Sequence, residues 1–358
     1  MRVVVAMSGG VDSSVVAGLL AAAGHEVIGV TLQLYDHGAA TGRRGACCAG
    51  QDIHDARRVA DHLGIPHYVI DAEARFRSAV IADFADAYAA GETPVPCVRC
   101  NQTVKFADLG VLARGLGAER LATGHYVRRI DGPDGPELWR ARDLARDQSW
   151  FLFATTKEQL AFGLFPLGAM ADKAAVRAEA ERLGLPVAAK PDSQDICFVP
   201  TGSYAEVVGQ LRPEALAPGE IVDAAGTVLG RHDGVARYTV GQARRLVGAA
   251  APGRVVVALD AARRRVVVGE RTQGSYDVAL RATNWLAPLL PEGRRCEVKL
   301  RARDAPRPAR LLPGGEGAFV RLDTPALPAP GQACVAYDGE RVLGGGLICR
   351  VPRRDGVR

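Results

Sequence analysis

The sequence predicts an α/β protein: a doubly wound parallel sheet, followed by an all-β region made of one small domain and one barrel. Three observations carry this. Short β-branched runs alternate with helical spacing over the first third of the chain, the pattern of strands joined by crossover helices. The texture changes near residue 210 to Gly, Pro and short Val-rich runs, the pattern of frequent turns between strands. The 358 residues, 48% apolar and 24% charged, exceed one compact core and exclude disorder as the general state.

Val3 to Ala6 is a first strand, Asp12 to Ala23 a helix rich in small residues, and Val27 to Leu32 a second strand. Asp52 to Leu63 carries Ile53, Ala56, Val59, Ala60 and Leu63 at helical spacing and stops at Gly64. His67 to Ile70 reads as a strand, Glu73 to Ala90 as a long helix, Val104 to Leu116 as a helix, Arg120 to Thr123 as a strand and 172–184 as a helix. In such sheets ligands bind beyond the carboxyl ends of the strands, which brings the loops after Ala6, Leu32 and Ala122 to one crevice. Seven short strands are expected beyond residue 210, beginning at Glu220, Thr227, Val255, Arg265, Glu297, Ala318 and Ala333, with Pro213–Pro218 as a linker. The expected domains are 1–208, 209–273 and 274–358.

The net charge of +5 is unevenly spread. Residues 201–358 hold 24 Lys+Arg against 16 Asp+Glu, a net of +8, and the remainder is slightly acidic. Arginine clusters at 263–265, 294–295, 301–310 and 353–354 offer phosphate contacts. A solvated β-surface in an arginine-rich chain is the alternative for any one of them, because 40 of the 45 basic residues are Arg. The longest small-and-apolar run, Val15 to Gly24, is about half of a membrane span, so a cytosolic protein without a membrane partner is expected. Its eight cysteines then point to catalysis or metal binding where they cluster.

Ala6-Met7-Ser8-Gly9-Gly10-Val11-Asp12-Ser13 joins the first strand to the first helix. Glycines let the backbone approach an anion, and amides at the helix start point toward it. The GK[ST] ending of a γ-phosphoryl-transfer loop is missing, as is GxGxxG. Cys97-Val98-Arg99-Cys100 follows a proline-rich loop and precedes a helix expected near Asn101, where Arg99 and the helix start should lower a thiol pKa. Cys197 lies in a polar loop after Lys190, and Lys190 and Lys105 are two of only five lysines. No second CxxC completes a zinc site. Cys296, Cys334 and Cys349 read as buried small apolar residues, and Cys47 and Cys48 as loop residues or ligands.

Ser8 to Ser13 resembles the loop of the ATP pyrophosphatase (PP-loop) superfamily. The ordered set of further segments resembles the tRNA-specific 2-thiouridylases over nearly the whole chain: Gly45 to Cys48, Thr93–Phe106 (TPVPCVRCNQTVKF), Thr123 to Tyr126, Asp147 to Leu152, Ser193 to Phe198, Gly230 to Gly234, Tyr238 to Gln242 and Pro330 to Gln332. The resemblance implies ATP-dependent thiolation of a tRNA wobble uridine at its 2-position. ATP adenylates the 2-carbonyl oxygen, a Cys197 persulfide supplies sulfur, and Cys100 is the partner nucleophile that leaves a Cys100–Cys197 disulfide.

The resemblance also implies that Ala6, Met7, Ser8, Gly9, Gly10, Val11, Asp12, Ser13, Leu32 and Gly124 line the ATP site, Asp12 helping to hold Mg²⁺ or pyrophosphate. Val95, Pro96 and Cys97 approach the base, and His125, Arg146, Asp147, Gln148, Arg301, Ala302 and Gln332 touch tRNA. The implied partners are tRNAs accepting Lys, Glu and Gln and a persulfide donor protein, not DNA. Cys97 stands where many relatives carry Asp, Arg146 where Lys is usual, Ala243 where Arg is usual and Ala302 where an aromatic is common. The cysteine leaves two alternatives open: the same reaction with an iron–sulfur cluster held by Cys97, Cys100 and Cys197, or a PP-loop ligase without sulfur chemistry.

Overall fold

The computed structural model describes residues 1–35, 48–192, 196–199, 203–244, 246, 253–315 and 317–350. They fall into two compact units: Met1–Val80 with Cys97–Pro200 and Glu340–Val342, and Ile81–Pro96 with Thr201–Gly339 and Leu343–Arg358. Cys47, Ser193 to Asp195, and Arg353 and Arg354 lie outside the described residues.

In the first unit, β1 (Arg2–Ala6), β2 (Glu26–Gln33), β3 (His67–Asp71), β4 (Arg120–Ala122) and the two-residue β7 (Gly163–Leu164) form one parallel sheet in the order β3-β2-β1-β4-β7. Val3, Val4 and Val5 are fully buried, as a central strand covered on both faces requires. The chain runs outward through β2 and β3 on one side of β1 and returns to β4 on the other, so the strand order reverses between β1 and β4. A ligand crevice opens at such a point, beyond the strand ends. Helix α1 (Val11–Ala22) packs Val15, Val16 and Ala17 on the sheet, and α2 (Cys48–Leu63) adds Ala56 and Val59 to the same core. β5 (Val127–Gly132) and β6 (Gly135–Arg140) form a hairpin, and Arg341 pairs with Trp139 of β6.

Two helical stretches differ from expectation. The first reads as α3 (Glu73–Phe76), a π-helical segment Arg77–Ile81 and α4 (Ala82–Ala89). The second starts earlier than its spacing predicts: α5 (Pro96–Cys100), a π-helical segment Asn101–Asp108, then α6 (Leu109–Gly115). Cys97 and Cys100 therefore lie inside a helix rather than before it, because Pro96 supplies the fixed φ that a first helical turn accepts. Four further helices follow: α7 (Ser149–Leu152), α8 (Lys157–Phe162), α9 (Lys173–Arg182) and α10 (Tyr204–Leu211).

The second unit is β-rich, as its composition predicts. β8 (Gly219–Val222), β9 (Val228–His232), β10 (Arg254–Asp260) and β11 (Arg265–Glu270) make a four-stranded sheet around Ile221, Val256, Val266 and Val268. β12 (Ser275–Trp285), β13 (Arg294–Lys299), β14 (Arg307–Pro313), β15 (Ala318–Ala326), β16 (Ala333–Asp338) and β17 (Arg341–Ile348) form a closed barrel, since β12 pairs with both β15 and β17. Its interior holds Val278, Val298, Leu311, Val320 and Leu343. A Cβ at Gly344, φ +134°, would sit 2.3 Å from the Asn284 carbonyl oxygen, so closure at this seam needs glycine. Pro213–Leu216 is not a loose linker but a 3₁₀ turn that buries Ala215. Of the three barrel-region cysteines, Cys334 is buried, whereas Cys296 and Cys349 are half-buried.

Candidate functional site

The loop after β1 is tied back to the sheet by backbone contacts and presents Ser8, Asp12 and Ser13 to a crevice. Met7 donates its amide to Val30 O at 2.8 Å and accepts from Thr31 Oγ1 at 2.8 Å, continuing the sheet by one residue. Gly9 has φ +73°, and a Cβ there would sit 2.1 Å from the Asp52 carbonyl oxygen. Ser13 Oγ accepts from the Ser8 amide at 3.1 Å and lies 3.3 Å from Ser8 Oγ, while Ser14 Oγ donates to Gly10 O at 2.8 Å. A crevice of about 240 Å³ opens here, lined by Ala6, Met7, Ser8, Asp12, Ser13 and Leu32, and on its other wall by Lys105, Gly124, His125 and Gln148. Gly124 sits where a Cβ would lie 3.0 Å from the Ser13 amide. The loops after Ala6, Leu32 and Ala122 thus meet as the alternation of elements predicts. Gly9, Gly10 and Val11 belong to the loop and helix start rather than to the crevice lining.

Two ion-pair clusters brace this crevice. Lys190 Nζ donates to Gly9 O (3.0 Å), Asp52 Oδ1 (2.7 Å) and Asp55 Oδ2 (2.6 Å). Burial pulls the Lys190 pKa down, but its two carboxylates outweigh this and hold it above the ordinary value. Burial raises Asp55, and its bond to Lys190, with Gln51 and Arg58, brings it below the usual carboxylate range. In the second cluster, Lys173 Nζ bridges Asp12 Oδ1 (2.6 Å) and Asp192 Oδ1 (2.9 Å), Tyr126 Oη donates to Asp12 Oδ1 (2.6 Å), and Arg146 and Arg177 reach Asp192 at 3.0 and 3.2 Å. Burial again raises Asp192, and Lys173 and the arginines outweigh it. Lys173, Asp52 and Asp55 escaped the sequence reading; only the scarcity of lysine could have pointed to Lys173.

The three candidate thiols are brought into electrostatic reach of one another and of Lys105. Cys100 is buried, while Cys97 and Cys197 are exposed. Cys97 and Cys100 both act on Cys197, and the Lys105 ammonium favours the thiolate at all three. Protein packed around the sulfurs nevertheless dominates: burial pushes Cys97 and Cys100 up, and Cys197 up to about 12. The lowered thiol pKa expected from Arg99 and the helix start is therefore corrected, since desolvation exceeds the attraction of a partly solvated cation. His125 accepts or donates at Nδ1 with Thr123 Oγ1 (2.8 Å), and burial followed by Lys105 holds it well below its ordinary value, hence neutral. Among the described residues no group of three His, Cys, Asp or Glu side chains is placed to hold a metal ion. The iron–sulfur alternative needs all three thiols around one cluster at once.

The residues expected to touch tRNA divide. Asp147 is buried and fully engaged, accepting from Arg140 Nε, Ser149 Oγ and the amides of Ala141 and Ser149. Gln148 Oε1 accepts from the Tyr126 amide at 2.9 Å. In the second unit, Arg301 Nη2 donates to Val240 O at 2.8 Å beside Gly241, φ +89°, and Gln332 Nε2 donates to Thr93 O at 3.0 Å. Val95 and Ala302 are half-buried and Pro96 is buried. Arg294 and Arg295 pair with Asp338 and Asp323, Arg263 with Asp260 and Arg265 with Glu220, so these four arginines are locally balanced and the net +8 of the segment rests on others.

A reversed strand order with a glycine loop feeding α1, a crevice-lining Asp12 paired with Lys173, and a crevice-lining Lys105 whose charge reaches three thiols define a nucleotide-using α/β enzyme of the PP-loop class. Comparisons with known proteins resolve which kind. Residues 1–201 match the tRNA methyl transferase HUP domain family, 206–270 the tRNA methyl transferase PRC-barrel domain and 275–348 the aminomethyltransferase beta-barrel domain. The chain is 70% identical to the tRNA-specific 2-thiouridylase MnmA of Acidiphilium cryptum (strain JF-5) over 97% of this chain and 100% of that protein. It is 63% identical to the tRNA-specific 2-thiouridylase MnmA of Gluconobacter oxydans (strain 621H), over 97% and 99%. A 4-thiouridine synthetase–RNA complex with bound ATP is similar at 16% identity and a TM-score of 0.34, over 60% of this chain and 50% of that one, too remote to carry an argument. The chain belongs to the tRNA-specific 2-thiouridylase family.

Proposed function

We propose that the protein thiolates the wobble uridine of tRNA at its 2-position, using ATP and a persulfide. The observation that carries this is Lys105: it lines the nucleotide crevice, and its charge reaches Cys97, Cys100 and Cys197. Nucleotide and sulfur chemistry thus share one wall. A carbonyl oxygen is a poor leaving group and AMP a good one, so adenylation must precede sulfur attack. The uridine 2-oxygen attacks the ATP α-phosphorus and pyrophosphate leaves. The amides of Ser8 to Ser13 cradle the phosphates, with Leu32 and Gly124 on the crevice walls. Mg²⁺ fits this pocket, because Asp12 retains Oδ2 without a hydrogen bond among the described residues; Asp12 and phosphate oxygens would hold it, and it would neutralise charge on the departing pyrophosphate.

The terminal sulfur of a Cys197 persulfide then attacks the base carbon, expelling AMP. Cys100 attacks Cys197 Sγ, the sulfur–sulfur bond breaks toward the base, and 2-thiouridine leaves with a Cys100–Cys197 disulfide behind. The raised thiol pKa values mean that each thiol must lose its proton in the assembled complex, where Lys105 is the near cation. An anticodon base must be turned out of its stack to react, at a cost of a few kcal/mol. Val95, Pro96 and Cys97 are assigned to its approach, and His125, Arg146, Asp147, Gln148, Arg301, Ala302 and Gln332 to the surrounding tRNA contacts, directly or by holding the neighbouring backbone. The acceptors are tRNAs for Lys, Glu and Gln, the sulfur comes from a persulfide donor protein, and the setting is cytosolic. The chain is assigned three domains, 1–208, 209–273 and 274–358. Nucleoside mass spectrometry of tRNA incubated with protein, ATP and a confirmed donor tests this: 2-thiouridine with AMP and pyrophosphate is expected, and its absence refutes the reading. Cys197→Ser and Cys100→Ser should each abolish product; a ligase without sulfur chemistry would keep turning over.

A further inference from the structure

Three thiols share this cluster, and the relay uses two. Cys97 and Cys100 occupy one helical turn, α5, three residues apart, which places both side chains on the same helix face with Cβ atoms roughly 5–6 Å apart. Cys100 is buried and Cys97 exposed. Cys197, on the described segment 196–199, is exposed, and both helix thiols act on it. Phe198 beside it packs edge-on against Phe76, 5.8 Å between ring centres, and is itself buried, fixing where this segment meets the unit. Cys100 thus has a thiol neighbour along its own helix and another across the cluster, so it can be the central sulfur of the in-line, three-sulfur displacement by which exchange proceeds.

We propose that Cys97 is a third catalytic thiol, which attacks Cys100 Sγ in the Cys100–Cys197 disulfide and returns Cys197 as a free thiol. This rests on the persulfide reading above. In the step, the Cys97 thiolate forms a bond to Cys100 Sγ, the Cys100–Cys197 bond breaks, and Cys197 leaves as the thiolate that takes up the proton Cys97 lost. One disulfide replaces another, so no oxidant or reductant is consumed. The product, Cys97–Cys100, spans one helical turn, and its Cys97 end lies on an exposed residue, the side from which an external dithiol can attack and release Cys100 from the interior. The sulfur-accepting Cys197 is thereby freed without itself entering a mixed disulfide with the reductant. Recharging with sulfur and reduction then occur at different residues.

The test is a single turnover without reductant. Protein loaded with persulfide at Cys197 is mixed with ATP and tRNA, quenched in acid, alkylated and mapped by peptide mass spectrometry, with 2-thiouridine measured on the same sample. The expected result is one 2-thiouridine per disulfide, with the Cys97–Cys100 linkage exceeding Cys100–Cys197 by about tenfold and Cys197 recovered alkylated. In Cys97→Ser the linkage found should be Cys100–Cys197. Wild-type protein that forms 2-thiouridine but retains Cys100–Cys197, with Cys97 alkylated, overturns the exchange while leaving the relay intact. Loaded protein that forms no 2-thiouridine at all overturns the relay, and the exchange with it.

Discussion

Lys190 offers the sharpest test of how the phosphate loop is held. Its ammonium ties the Gly9 carbonyl to Asp52 and Asp55. The Asp55 side chain is 8% exposed, Lys190 24% and Asp52 48%. Lys190→Met leaves Asp55 as a buried carboxylate whose remaining cation is the half-exposed Arg58, 3.7 Å away. Removing one partner of a fully buried pair costs about 3–5 kcal/mol; the partial exposure of Lys190 lowers this toward about 2–3, and the lost bond to Gly9 adds about 1. The half-exposed Asp52 contributes under about 1 kcal/mol. A loss of about 3–4 kcal/mol is therefore expected, near 10 °C in the melting of the first unit at roughly 2–4 °C per kcal/mol.

The pH dependence of that loss has a definite sign. In the folded protein Asp55 lies below its ordinary 3.8, so its pairing stabilises above that value and is lost as pH falls through the lowered pKa. Lys190 lies above 10.5, so its share is present below that value and is lost only as pH rises through the raised pKa. The wild-type pair is thus intact across neutral pH. In Lys190→Met, burial would be opposed only by Gln51 and Arg58 and would raise the Asp55 pKa relative to wild type, so the variant gains relief by protonation as the solution is acidified. Urea titrations at about pH 7 and about pH 5 should show the difference from wild type shrinking on acidification. A cost below about 1 kcal/mol at neutral pH, or one that does not shrink, refutes the account of Asp55 as a buried charge that depends on Lys190.

Gly9→Ala should abolish ATP binding in equilibrium dialysis and cost more than about 2 kcal/mol, because its Cβ would lie 2.1 Å from a backbone oxygen. Gly24→Ala, with φ +77° and nothing within 4 Å, should cost only about 1 kcal/mol. Lys173→Met releases Asp12 and Asp192 together and should slow tRNA-dependent pyrophosphate release by about 100-fold, read in a coupled phosphate assay. Cys197, with its pKa near 12, should be alkylated by iodoacetamide more slowly than free cysteine at pH 8 and faster with each step upward in pH. Lys105→Met should slow it further.

The first unit was legible because its signals are local. A run of buried valines between turns can only be a central strand here, and Gly9 at positive φ beside Asp52 leaves no room for another residue. β7 was not legible, since two residues, Gly163 and Leu164, carry no periodicity. The β5–β6 hairpin was not legible either: Arg128, Arg129 and Arg140 break its apolar pattern, and only in the fold do they face ion pairs and carbonyls rather than water. In the barrel, Ser275–Trp285, Arg307–Pro313 and Arg341–Ile348 were missed: Asp277, Arg281, Thr283 and Asn284 leave few apolar residues in the first, Pro308 and Pro313 read as turn residues in the second, and Gly344 to Gly346 do so in the third.

At the site, sequence reasoning found residue types whose geometry is dictated by backbone, and failed where long-range charge decides. The loop from Ala6 to Ser13 and the position of Gly124 follow from strand ends and a reversed strand order. The bracing of that loop does not, because Lys173 meets Asp12 across 161 positions of sequence and Lys190 meets Asp52 across 138. The thiols show the limit most clearly. Arg99 is adjacent in sequence to Cys100 yet does not set its ionisation, whereas Lys105, carried round by the π-helical segment, is the cation that bears on all three sulfurs. A π turn holds more residues than an α turn, so each side chain advances by a smaller angle, and a helical wheel drawn from the sequence at the α spacing puts Lys105 at the wrong angle. Burial then reverses the sign of the expected shift, because the cost of desolvating a thiolate grows with packing around the sulfur, and packing is a property of the fold rather than of neighbouring letters.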